Sequence, residues 1–172
     1  MHDAYSTDSD PIKNLSFYLA DEIATLELGS KIAANLQSGL IIFLVGNLGT
    51  GKTTLTRGIL RGLGYQQLVK SPTYNLVEFY KISRLYFYHF DFYRFNDQFE
   101  WEEIGFREYF NSNSICAVEW PEKAGNLLPK ADLQISFNVV DESRVVEIHA
   151  NTETGEQCLK HLKNQSKNQS KS

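Results

Sequence analysis

At 172 residues, with 42% hydrophobic and 22% charged residues, the chain has the composition of one globular domain large enough to bury a sizeable core. A formal net charge of −4 argues against a domain that grips nucleic acid by itself, which would carry a basic face. No stretch approaches a transmembrane helix, no signal peptide is legible, and two cysteines without metal-ligand spacing fit a reduced compartment, so the expected location is cytoplasmic, with no membrane contact.

The chain begins with a polar stretch, Met1 to Pro11, that is expected to be loose. Ile12 to Leu19 alternates, with Leu15, Phe17 and Leu19 on one side, and reads as an edge strand. Asp21 to Gln37 reads as an amphipathic helix carrying Ile23, Leu26, Ile32, Ala33 and Leu36, with Gly29 as an unfavourable interior residue. After the turn at Ser38-Gly39, the apolar run Leu40 to Val45 leads straight into Gly46-Asn47-Leu48-Gly49-Thr50-Gly51-Lys52-Thr53. That octet fits G-x-x-x-x-G-K-[ST], the phosphate-binding P-loop. A helix-like stretch with Leu55, Ile59, Leu60 and Leu63 follows it. Buried strand, glycine loop and helix are the three parts such a loop needs. The glycines let backbone N–H groups approach phosphate, and the N-terminal end of the helix completes the anion site. Lys52 supplies a mobile cation for the β- and γ-phosphates, and Thr53 a hydroxyl for Mg²⁺.

Pro72 stiffens the loop Val69 to Thr73, where Ser71 and Thr73 form either a phosphate-sensing switch or a plain turn; spacing alone favours the turn. Asn75 to Tyr80 and Leu85 to Phe90 read as a hairpin joined by Lys81 to Arg84. Asp91, at the end of the second strand, reads equally as a Walker-B-type carboxylate or as a cap of the next turn. His89 reads as a satisfied, half-buried histidine, and Arg94 either faces phosphate or makes a surface ion pair. Asp97 to Phe110 is expected to be an acidic, aromatic helix. Ile115 to Val118 is a short, wholly apolar run, as in a central strand, and it ends in Glu119. In an open parallel sheet, ligands sit at the carboxyl ends of strands. Glu119 would then leave its strand on the rim that carries the P-loop, as a Mg²⁺ ligand or to position the attacking water. Trp120 packs beside a nucleotide, against a partner or in the core. Leu133 to Val140 and Arg144 to Ala150 form a second hairpin, where Arg144 either reaches the nucleotide or lies on the surface. From Lys160 the chain is polar, with four lysines, no acid and a repeated Lys-Asn-Gln-Ser, and is expected to be a disordered tail over 160–172.

These elements predict one domain over 1–159: a three-layer α/β P-loop NTPase fold around a mixed, mainly parallel sheet. The P-loop, Thr53 with a carboxylate, and Glu119 or Asp91 supply what ATP hydrolysis needs. The Asn-Lys-x-Asp signature that selects guanine is missing, which favours adenine, and no arginine-rich lid of a small-molecule kinase stands out.

In order and spacing, Ala24 to Gly29, Gly46 to Thr54, Ser71 to Glu78, His89 to Arg94 and Val118 to Pro121 resemble the TsaE (YjeE) family. These are bacterial ATPases required for threonylcarbamoyladenosine modification of tRNA. The resemblance covers roughly Asp21 to Ala150, and its combination of motifs is highly specific. It implies binding of ATP or ADP with Mg²⁺ and slow hydrolysis by the isolated protein. It also implies association with the TsaB–TsaD heterodimer, which modifies the adenosine next to the anticodon in tRNAs reading codons that begin with A. The ATPase would reset that complex between turnovers, and tRNA would be met only through the complex. By the same resemblance, Thr53 and Glu119 would ligate Mg²⁺ and Asp91, near the metal, would act in hydrolysis beside Lys52. Gly46, Asn47, Leu48, Gly49, Thr50, Gly51, Lys52, Thr53 and Thr54 would cradle the phosphates. Residues around Glu22 to Thr25 would contact the adenosine. Asn47 and Thr50 stand where the family often has Asp and Ala, both at variable loop positions. Two other functions remain: a stand-alone P-loop kinase of a small molecule, and a nucleotide-dependent binding module without turnover.

Overall fold

The computed structural model describes residues 11–72, 74–96 and 105–169, the last three of these in backbone only. Their strands form one seven-stranded sheet with helices. In chain order the elements are β1 (Asn14–Leu19), α1 (Glu22–Ala33), β2 (Ile41–Val45), α2 (Lys52–Gly62), β3 (Val77–Ile82), β4 (Leu85–Asp91), β5 (Ser114–Glu119), β6 (Leu133–Val140), β7 (Ser143–Ala150) and α3 (Glu153–Gln169). The sheet order is β1-β7-β6-β2-β5-β4-β3. β2 pairs parallel to both β6 and β5, and β5 pairs parallel to β4. The β3–β4, β6–β7 and β1–β7 pairs are antiparallel. The sheet is mixed, as expected, but parallel pairing is confined to its centre and makes up half of the ladders rather than most of them. The two predicted hairpins form, each closing on a two-residue turn with a positive φ at Ser83 or Asp141.

Alternation along the central strands sends side chains to two separate cores. Ile42, Leu44, Ile115 and Ala117 pack with α1, α2 and α3, where Ile32, Leu55, Ile59, Leu159 and Leu162 are buried. On the other face Cys116 and Val118 meet Phe90, Phe92, Phe95 and Phe106. The described part of that layer is built from 3-10 turns such as Phe106–Tyr109. Of the expected helix Asp97 to Phe110, residues 97–104 lie outside the described residues, as do Thr73 and nearly all of the stretch expected to be loose at the start. Among the described residues no helix is long and apolar enough to cross a membrane.

The boundaries shift for physical reasons. α1 is capped by Asp21, whose Oδ1 accepts from the Ala24 N–H at 2.8 Å. It stops short of the expected Gln37 where the Asn35 side chain bonds back to the Lys31 carbonyl and across to Gln165. α1 and α2 cross at glycines. A Cβ on Gly29 would lie 2.6 Å from the Leu55 carbonyl oxygen, and one on Gly58 would lie 2.5 Å from that of Leu26. Gly29, unfavourable by propensity, is what lets the two backbones touch. The expectation of a disordered tail from Lys160 is corrected: α3 runs from Glu153 through Gln169 and buries Cys158, Leu159 and Leu162. Lys163 and Asn164 are exposed on its outer side, and composition hid the apolar stripe that docks it.

Candidate functional site

β2, β4 and β5 run parallel, so their carboxyl ends share one rim. From that rim rise the P-loop, Asp91 and Glu119. Gly51, with φ +107, takes a left-handed turn that starts α2 and leaves Lys52 and Thr53 at the helix N-terminus. Behind this lies a cleft of about 380 Å³. Of the candidate residues, Leu48, Gly49, Thr50, Gly51, Lys52, Thr53, Thr54, Glu22, Thr25, Asp91, Glu119 and Arg144 all line it. Gly46 and Asn47 lie beneath, where their carbonyls accept from the Lys52 ammonium (2.6 Å) and the Thr50 hydroxyl (2.9 Å).

Lys52 is almost fully buried and its Nζ sits 4.0 Å from the centre of the Trp120 ring. Burial lowers its pKa from the ordinary lysine value, opposed by the carboxylates of Glu119, Asp91 and Glu122. Trp120 adopts φ +57, a backbone that bulky residues rarely take, and its ring also meets Tyr93 at 5.0 Å. Asp91 and Glu119 are direct cross-strand partners. Burial pushes the Asp91 carboxyl above its usual range; the Tyr93 backbone N–H, donating to Oδ1 at 2.9 Å, opposes this, and the nearby Glu119 charge adds to it. Asp91 thus caps the following turn and also lines the cleft. Glu119, nearly buried, accepts from the Thr53 hydroxyl at 3.2 Å and from His89 Nε2 at 2.6 Å, both on Oε2.

Other candidates resolve differently. Arg144 borders the cleft, but its guanidinium donates to the carbonyls of Thr50 (3.1 Å), Gly49 (3.3 Å), Ser143 and Glu142, so it buttresses the P-loop from the β6–β7 turn. Glu22 pairs with Arg57 at 3.5 Å. Arg94 lies over the Tyr74 ring, 4.6 Å from its centre. Ser71 lines the cleft, while the neighbouring Thr73 is outside the described residues. His89 is the residue that sequence reasoning undervalued: it is fully buried and bonded to Glu119, not half-exposed. The signal was present in the two-residue spacing of His89 and Asp91, which puts both on one face of β4.

The donor set suits a hard cation held with a nucleotide. A hydroxyl (Thr53) and two carboxylates (Glu119, Asp91) converge beside a backbone anion cradle. Among the described residues no three or more His, Cys, Asp or Glu side chains gather as a metal cage.

Comparison with known proteins agrees with this architecture. A family profile described as "Threonylcarbamoyl adenosine biosynthesis protein TsaE" matches residues 19–146. The tRNA threonylcarbamoyladenosine biosynthesis protein TsaE of Haemophilus influenzae is 43% identical over 158 residues, covering 89% of this chain and all of the relative. The protein of the same description from Bacillus subtilis is 37% identical over 124 residues, 72% of this chain and 77% of the relative. The crystal structure of Bacillus subtilis YdiB superposes with a TM-score of 0.78 at 29% identity, covering 92% of this chain and 99% of that one.

Proposed function

The chain belongs to the TsaE family, and from that premise we propose that it is a Mg²⁺-dependent ATPase serving threonylcarbamoyladenosine formation on tRNA. The observation that carries the hydrolytic part is the Thr53–Glu119 hydrogen bond, 3.2 Å long, at the mouth of the P-loop with Asp91 alongside. A hydroxyl and a carboxylate so joined mark a shared cation position, and hard oxygen donors beside an anion cradle suit Mg²⁺ with nucleotide phosphates.

In this reading the P-loop N–H groups and the α2 N-terminus bind the phosphates. Lys52 has three N–H donors; one goes to Gly46 O, and the others are available to phosphate oxygens. Thr53 and Glu119 would hold Mg²⁺, with Asp91 next to them. When bound, the metal supplies charge neutralisation at the β- and γ-phosphates. Asp91 orients the attacking water and is a poised proton acceptor because burial has raised its carboxyl. Glu22 and Thr25 border the adenosine side of the cleft, and Arg144 keeps the loop in shape. The protein acts in the cytoplasm on the TsaB–TsaD heterodimer between turnovers and meets tRNA only through it. The net charge of −4 suits that division of labour.

The test is phosphate release by the purified chain, alone and with TsaB–TsaD and tRNA, for wild type and Glu119→Ala. Expected are slow turnover alone, a clear change on adding the pair, and a loss of about 100-fold or more in the variant. Nucleotide binding with no response to the pair would remove the partner claim. Undiminished hydrolysis by Glu119→Ala would remove the assignment of the site.

A further inference from the structure

β4 brings His89 to a place where packing alone does not call for a histidine. The side chain is fully buried, two residues before Asp91 and across the ladder from Ala117. Its Nε2 lies 2.6 Å from Glu119 Oε2. A carboxylate can only accept, so the proton of that bond is on Nε2. Its Nδ1 has no partner, and among the described residues it is the one buried side-chain nitrogen or oxygen in that condition. An unpartnered buried polar atom is destabilising, a cost that a leucine or phenylalanine here would avoid. The ring is therefore placed for what Nε2 does, at the expense of Nδ1.

We infer that His89 is a positioning residue: its Nε2–H fixes the Glu119 carboxylate in the orientation that also receives the Thr53 hydroxyl. Glu119 hangs at the end of β5, beside a second carboxylate, Asp91, that repels it. A buried carboxylate in that setting needs hydrogen-bond donors to hold it in one rotamer. Thr53 gives one at 3.2 Å, and the shorter bond comes from His89. The consequence for Mg²⁺ rests on the ATPase reading above; the positioning itself does not.

Two measurements separate these. The first is the nitrogen and proton spectrum of the histidine rings in the nucleotide-free, metal-free protein, wild type against Glu119→Gln. The expected result is an Nε2-protonated ring with a downfield, slowly exchanging proton for His89, shifted by the substitution. An Nδ1-protonated ring, or a resonance indifferent to Glu119→Gln, overturns the inference. The second is ADP affinity by calorimetry with and without Mg²⁺. His89→Leu is expected to lose about tenfold of the Mg²⁺-dependent gain while Mg²⁺-free affinity stays within about twofold, since 1.4 kcal/mol is a factor of ten. His89→Gln, whose amide N–H reaches the ε position, is expected to keep the gain, and His89→Asn, whose amide stops at the δ position, to lose it. Equal Mg²⁺ gains in all four proteins would overturn the inference. A wild type indifferent to Mg²⁺ would sink the metal reading, and the spectrum would then decide the positioning claim.

Discussion

At the scale of single residues, burial sets reactivity. Cys116 sits in the aromatic core and Cys158 in the helical one, and both are free. Burial pushes their thiols up to about 12 and about 11. The thiolate is the reactive form, so near neutral pH iodoacetamide is expected to leave the folded protein unlabelled and to label both cysteines in urea. Rapid labelling of either in the folded protein, read by mass, would contradict this. The same scale shows what a sequence displays and what it conceals. Lys52, Thr53 and Glu119 were legible because a glycine loop fixes spacing and an apolar strand makes a terminal carboxylate conspicuous. His89 was not, because a histidine among aromatics looks the same whether its partner is a backbone carbonyl or a carboxylate thirty residues on in the next strand. Arg144 was seen as a nucleotide contact or a surface charge; its bonds to the P-loop carbonyls depend on a cross-sheet register that sequence does not print.

At the scale of elements, the contact of α1 with α2 is the most demanding. Gly58→Ala would gain about 1 kcal/mol in helix propensity. The new Cβ would be 2.5 Å from the Leu26 carbonyl oxygen, which is backbone and cannot rotate away. Overpacking of this kind costs about 1–3 kcal/mol and here belongs at the upper end, so a net loss of about 1–2 kcal/mol is expected. A lower urea midpoint at unchanged slope would register it, and a raised midpoint would refute it. Because α1 brings Thr25 to the cleft and α2 brings Lys52, the variant should also bind nucleotide more weakly. The helices and strands were largely readable from periodicity, with ends displaced by a few residues where a side chain such as Asn35 competes for a carbonyl. The last helix escaped because the buried hydrophobic side chains among its described residues are just Cys158, Leu159 and Leu162, beside a run of lysine, asparagine and glutamine.

At the scale of the molecule, that helix closes the larger of the two cores. Removing it would expose Leu159 and Leu162, worth about 1.5–3 kcal/mol each, besides Cys158 and the surfaces they cover. A domain of this kind is stable by about 5–15 kcal/mol in all. A chain stopped after Asn151 is therefore expected to melt far lower or lose its cooperative transition, whereas one stopped after Ser166 should melt like the full chain. Equal melting of the two would show that α3 is ornamental. The parallel centre of the sheet was legible because runs such as Ile115 to Val118 have no polar face. The antiparallel flanks were legible as hairpins, but the pairing of β1 with β7 was not, since nothing local to either strand names the other.

That last pairing has a consequence for how the protein is made. Asn14 and His149 are neighbours in the sheet although 135 residues separate them in the chain. At a synthesis rate of about 5–20 residues per second, β1 leaves the ribosome roughly 7 to 27 s before its partner exists. During that interval the strand is an unpaired edge, with the alternating Leu15, Phe17 and Leu19 bare along one side and Tyr18 on the other. The nascent chain must therefore carry an adhesive strand for nearly the whole of its translation, and the segment around Asn14 to Leu19 is where a chaperone would have most to protect.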